Sequence, residues 1–324
     1  MPDIYKYRPS IDSKIIVAVQ EVLHVPVVYV EKIKKGEINH VYKVATARGT
    51  VIARVFRYKK WPEDGKLEWI EQQLSKHRVP HAKILYYKRE AKYFPNGFML
   101  SEFIDGVSGT EAVVQKIITE AELYTAFGTL TRKIHRVRTE KFGPLNQGRG
   151  KYDNYVQMQI DGALDILRKL RAAGALKTNY TDPVTKCITT AFKGTEQYIH
   201  PCLLHGDLSE SNTIVTKNKK VYLIDWDNAR SGFWLADFIE LTRRHVYDET
   251  WSNNQQRMHH ARTAFFLGYG KIPFSTSQLR SIENALQVIR HIWQMNYYQF
   301  DNVSPADFKR VYQIFKKLLL PNKS

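Results

Sequence analysis

A carboxylate, Asp207, stands five residues before an amide, Asn212, in the run Leu203-Leu204-His205-Gly206-Asp207-Leu208-Ser209-Glu210-Ser211-Asn212. An apolar run, Val221 to Ile224, then leads to a second carboxylate, Asp225. These types suit phosphoryl transfer. That reaction asks little covalent work of a protein; it needs an orienter for the acceptor hydroxyl, oxygen ligands for magnesium and cations on the phosphates. On a tight loop Asp207 can take the hydroxyl proton. The Asn212 amide oxygen and the Asp225 carboxylate are hard donors that suit magnesium. Arg54 lies in an otherwise apolar run, Val51 to Phe56. An inward arginine there needs an anion, either a carboxylate or a phosphate.

The elements that must position these residues change character along the chain. The first half reads as strands, Val27 to Ile33, Val41 to Thr46 and Val51 to Phe56, separated by turn signals at Gly36 and Ala47-Arg48-Gly49. A helix over Leu67 to Leu74 is followed by two more strands, Ile84 to Lys88 and Gly97 to Ile104. Asp12 to Leu23 reads as a leading helix with Asp12 or Ser13 as its cap. The second half is helical: one long helix over Glu111 to Arg136, then Tyr155 to Ala173, Ser277 to Phe300 and Pro305 to Leu320. Cys202 to Asp227 interrupts it as strand, loop and strand. The expectation is an α+β chain, with a small antiparallel β-rich N-terminal lobe at residues 1–103 and a larger helical C-terminal lobe at 104–324. That order is the layout of the protein-kinase-like fold. The stripe Trp293, Tyr297, Phe300 has helical spacing and is expected in the core.

The catalytic stretch resembles the aminoglycoside phosphotransferase and choline kinase group of kinases. Their pattern is His-Gly-Asp, four residues, Asn, then Ile-Asp-Trp/Phe-Asp/Glu on the next strand. Here it reads His205-Gly206-Asp207, Asn212 and Ile224-Asp225-Trp226-Asp227, followed by Ala229 and Gly232. Asp237 is similar to the buried Asp that braces the family's catalytic loop. Upstream, Gly36 to Tyr42 resembles its loop over the phosphates, Val51 to Val55 its third strand, and Gly97 to Gly106 its hinge. The helix ending Leu130, Ile134-His135 also matches. The resemblance runs over residues 27 to 240, in order.

The resemblance implies ATP and Mg2+ as cofactors, with Asp207 as catalytic base and Asn212 and Asp225 as metal ligands. Arg54 would touch the phosphates, paired from the helix by Glu68 or Glu71. Gly36 and Asn39 would belong to the phosphate loop, and the backbone of Glu102 to Ile104 would hold adenine. His205 is implied to hydrogen-bond around Asp207 and Asp237 as a brace. Asp227 is either a salt-bridge partner of Arg230 or a third metal contact, with the structural role favoured. Two departures stand out. Glu210 falls where many relatives carry His-Pro-Gly, and Gly36 is the one glycine of the phosphate loop.

Bulk properties bound the partners. Lys plus Arg is 49 against 32 for Asp plus Glu, a net charge of +17. Such a surface attracts polyanions, so nucleic acid stays a second partner class behind a small-molecule acceptor. The acceptor implied by the family is aminoglycoside-, choline-, homoserine- or sugar-like, and the charge fits a neutral or anionic one better. Two cysteines build neither a disulfide framework nor a zinc site, and the cytoplasm is the natural compartment. No run is long enough for a membrane span, and the start Met1-Pro2-Asp3 has no signal-peptide character. Two rivals remain: a catalytically silent nucleotide- or nucleic-acid-binding relative, and a protein kinase. Against the second, Asp225-Trp226-Asp227 replaces Asp-Phe-Gly, and Asp237 follows Asp227 by only ten positions.

Overall fold

The computed structural model describes residues 11–33, 39–239, 241 and 251–320. They divide into two compact units, Met1–Ile118 with Glu210–Asp227, and Thr119–Ser209 with Asn228–Ser324.

The first unit is built on an antiparallel sheet of β1 (Val27–Ile33), β2 (His40–Thr46), β3 (Gly49–Val55), β4 (Ile84–Lys88) and β5 (Phe98–Glu102), in the order β1-β2-β3-β5-β4. Period-two alternation sets its faces. Tyr42 and Val44 on β2, and Val51, Ala53 and Val55 on β3, are buried with Ile15 and Val19 of α1 (Ile11–Leu23). Each large apolar side chain buried this way contributes about 1.5–3 kcal/mol. The same alternation turns Ile52 and Arg54 to the other face. Helix α2 (Lys66–Lys76) buries Leu67, Ile70 and Leu74, as its spacing predicts. The strand β6 (Val107–Ser108) joins the hairpin β9 (Thr213–Val215) and β10 (Val221–Leu223) in a second sheet.

The expected helix over Glu111 to Arg136 is two helices, α3 (Gly109–Val114) and α4 (Glu120–Ile134). Each opens with its own capping box, Ser108 with Glu111 and Thr119 with Glu122. Between them Lys116 takes φ 58°, which no helix continues through.

The second unit is α4, α5 (Tyr155–Ala172), α6 (Thr181–Phe192), α7 (Trp251–Tyr269), α8 (Thr276–Asn296) and α9 (Pro305–Leu319), with a small sheet of β7 (Gly143–Pro144), β11 (Arg230–Gly232) and β8 (Cys202–Leu204). Helices α6 and α7 had no counterpart in the sequence reading. The helix expected up to Phe300 ends as a π turn, Tyr297–Asp301. The stripe expected in the core is on the surface instead: Trp293, Tyr297 and Phe300 are 53%, 44% and 45% exposed. Burial on α8 goes to another face, with Leu279, Ile282, Leu286, Ile289 and Ile292.

Helices α4 and α7 touch backbone to backbone. A Cβ on Gly128 would lie 1.9 Å from the Phe265 carbonyl oxygen, and one on Gly268 would lie 1.9 Å from that of Thr125. Among the described residues no helix is long and apolar enough to cross a membrane.

Candidate active site

In the first unit, β3 delivers Arg54 and the end of β10 delivers Asp225 and Asp227. Arg54 Nη1 donates to Asp227 Oδ1 at 2.7 Å and Nη2 to Asp225 Oδ1 at 3.2 Å. Burial alone would push the guanidinium pKa down; the two carboxylates outweigh it and hold Arg54 charged. Asn39 Nδ2 donates to the other Asp227 oxygen at 2.9 Å. Lys66, buried at the start of α2, donates to Glu63 at 2.9 Å and to the Asp227 carbonyl at 2.7 Å. Ile224 N–H donates to the Asn212 carbonyl at 3.0 Å, which ties the residue before Asp225 to Asn212 across the β9–β10 hairpin. Asp225 itself adopts φ 66°. A non-glycine residue held there stores about 1 kcal/mol or more, and such strain clusters at functional sites.

Arg54, Asn212, Asp225 and Asp227 face a cavity of about 440 Å³ within this unit. Ile33, Val41, Ile52, Met99, Leu223 and Ile224 give it apolar walls. Glu102, Phe103 and Ile104 line it from the end of β5 and the segment after it, and Arg54, Asn212, Asp225 and Asp227 are among its polar groups. An apolar slot with a few convergent polar groups fits a flat heterocycle carrying charged substituents. The Asn212 amide and the Asp225 carboxylate are oxygen donors of the kind magnesium takes. Among the described residues no cluster of three or more His, Cys, Asp or Glu could hold a metal alone. That donor set fits magnesium that arrives with phosphates, which needs only one or two protein ligands.

The second unit carries Asp207 on the loop after β8. Asp207 N–H donates to His205 Nδ1 at 3.3 Å. The N–H groups of His205 and Gly206 donate to the two oxygens of Asp237, both at 2.9 Å. His135, the C-cap of α4, bonds Asp237 through Nε2 at 3.2 Å and the Tyr269 hydroxyl through Nδ1 at 3.0 Å. The glycine of His-Gly-Asp has a physical reason. Gly206 has φ 77°, and a Cβ there would stand 2.1 Å from the Asn228 carbonyl oxygen. Asp237 is fully buried. Burial pushes its carboxyl up, but the hydrogen bond and nearby charge of His135 hold it below the ordinary value of 3.8. A carboxylate with a lowered folded pKa stabilises fully above its unfolded value and loses that contribution as pH falls through the folded one. Wild-type stability is therefore expected to drop as pH falls below 3.8, and Asp237→Asn to flatten that limb. Denaturant unfolding at a series of pH values measures it.

Several expectations shift. Arg54 takes its carboxylates from Asp225 and Asp227, not from α2. Glu71 accepts from Ile84 N–H at 3.2 Å and bonds His81 Nε2 at 3.0 Å, and Glu68 is exposed. Asp227 pairs with Arg54 and Asn39. Gly36 lies outside the described residues. Lys66 was missed, and one lysine beside Glu63 and Asp64 on a polar stretch carries no signal of burial.

An antiparallel sheet with a leading helix, a braced His-Gly-Asp loop and a helical C-terminal part make this an α+β kinase-like fold. A profile of the phosphotransferase enzyme family, APH, matches residues 30–272, and the chain belongs to that family. No curated protein matches the chain by sequence. Among solved structures it is similar to aminoglycoside phosphotransferase APH(4)-Ia, with TM-score 0.67, 13% identity, and 96% of this chain and 98% of that one covered. It is similar to a protein from Ralstonia eutropha assigned to the aminoglycoside phosphotransferases, with TM-score 0.64, 15% identity and coverages of 95% and 97%. A third is spectinomycin phosphotransferase APH(9)-Ia in complex with ADP and spectinomycin, with TM-score 0.58, 13% identity and coverages of 95% and 97%. At these identities the likeness is one of fold.

Proposed function

We propose that this chain is an ATP-dependent kinase of a small molecule, moving the γ-phosphate to an acceptor hydroxyl. The observation that carries the reading is the cavity of the first unit, where apolar walls meet Arg54, Asn212 and Asp225. Residues 1–103 would hold most of the nucleotide, with adenine against Glu102 to Ile104. Residues 104–324 would supply the acceptor-binding helices, the loop of Asp207 and the metal-binding strand. Asp207 would orient the acceptor hydroxyl and take its proton. His205 and Asp237 would keep the Asp207 loop in shape through main-chain N–H groups, without touching the acceptor. Asn212 and Asp225 would hold magnesium, which when bound spreads the negative charge of the phosphates.

Family membership supports phosphoryl transfer. Similar folds have been solved with ADP and hygromycin B, and with ADP and spectinomycin. They motivate acceptors of aminocyclitol, amino-alcohol or sugar type. The test is release of ADP from ATP and magnesium in the presence of such acceptors. Turnover that depends on one of them is the expected result. No turnover with any acceptor, together with no magnesium-dependent ATP hydrolysis, sinks the enzyme reading. Salt-sensitive RNA binding in its place would support the silent-relative alternative.

A further inference from the structure

The guanidinium of Arg54 is shared unequally. Its contact with Asp227 is 2.7 Å long, and the Asp227 side chain is 2% exposed. Its contact with Asp225 is 3.2 Å long, and that side chain is 42% exposed. Asp227 is pinned independently, by Asn39 on its second oxygen and by Lys66 on its carbonyl. The helix carboxylate that could have competed, Glu71, is spent on His81 and Ile84.

We propose that Asp227 is the positioning residue for Arg54, in place of a carboxylate from α2, and that by holding the tighter half of the guanidinium it keeps Arg54 from closing onto Asp225. The inference rests on the kinase reading, in which Asp225 meets magnesium and Arg54 meets phosphate. A dry, short, charge-assisted bond resists competitors better than a longer one in contact with water and salt. A magnesium–nucleotide therefore has to displace only the Arg54–Asp225 contact, while Asp227 keeps the arginine in place to receive phosphate oxygens. Without the Asp227 charge, Arg54 has one carboxylate left, and it is the one the metal needs.

The experiment is calorimetric ADP binding across a magnesium titration, with thermal unfolding run on each variant. In Asp227→Asn, the magnesium concentration for half-maximal ADP binding is expected to rise about tenfold. The same substitution in an Arg54→Gln background should change it less than about twofold, because the arginine that invades Asp225 is gone. Asp227→Glu, which keeps the charge, should recover most of the wild-type requirement. Glu71→Gln should leave it unchanged. Should Asp227→Asn unfold the chain, Asn39→Ala only loosens Asp227 and is expected to raise the requirement about threefold, again only with Arg54 present. A wild-type magnesium requirement in the Asp227 variants overturns the assignment, as does a rise that persists without Arg54 or one that Glu71→Gln reproduces. Those results leave ADP binding by the wild-type chain intact. Failure of the wild type to bind ADP at all would instead overturn the nucleotide reading, and this assignment with it.

Discussion

Asp207→Ala is expected to lower kcat about a thousandfold, within the range for loss of a positioned general base. ADP affinity should stay within about twofold of wild type, since the residues lining the cavity of the first unit, Arg54, Asn212 and Asp225 among them, are untouched. Thermal stability should also change little. The loop is held by the His205 and Gly206 N–H groups on Asp237, and those bonds survive the substitution. Asp237→Ala makes the informative contrast. It strands two buried N–H donors and should lose activity and stability together. Steady-state kinetics, calorimetry and unfolding on the same preparations separate the two patterns. An Asp207→Ala enzyme within tenfold of wild type would remove Asp207 from the chemistry.

Gly128→Ala should cost about 3 kcal/mol, at the upper end for forced overpacking. An alanine Cβ cannot sit 1.9 Å from the Phe265 carbonyl oxygen and 2.6 Å from the Tyr269 N, so α4 and α7 must separate. Neither obstacle is a flexible side-chain tip that could swing away. The midpoint of thermal unfolding is expected to fall by roughly 5–10 °C. Activity should fall as well, because His135 caps α4 and Tyr269 ends α7, and these two bond each other beside Asp237. Gly268→Ala meets the reciprocal clash with Thr125 and should behave alike. A stability change under about 0.5 kcal/mol in both would mean that the two helices do not approach as closely as described.

Much of the first unit was readable because each strand is short, rich in β-branched residues and bounded by a turn. Val27–Ile33 and Ile84–Lys88 are found with the bounds their sequences suggested. The His205-Gly206-Asp207 loop is legible as one motif because its residues are neighbours in the chain. The Arg54 network was not, since Asn39, Arg54, Lys66 and Asp227 lie up to 188 positions apart and only the folded sheet brings them together. The break before α4 was written in Thr119 and Glu122, but the apolar spacing ran through it and masked the second capping box. Helix α7 hides for another reason: its apolar residues cluster in Ala264-Phe265-Phe266-Leu267 instead of recurring along one side. The aromatic stripe on α8 shows the limit of periodicity as evidence. Spacing says that Trp293, Tyr297 and Phe300 share a side of a helix, not that another element covers it.

The crossing of the chain from one unit to the other between Ser209 and Glu210, and back between Asp227 and Asn228, bears on how this protein can be cut. A fragment ending at Ile118 would retain the five-stranded sheet yet lack the β9–β10 hairpin that pairs with β6. It would also lack Asp225 and Asp227, leaving Arg54 without either carboxylate. The complementary fragment would carry residues 210–227 away from the strand they complete. Splitting the gene at that boundary should therefore yield two insoluble pieces. A graft of residues 210–227 onto the first piece through a short linker is the dissection with a chance of folding.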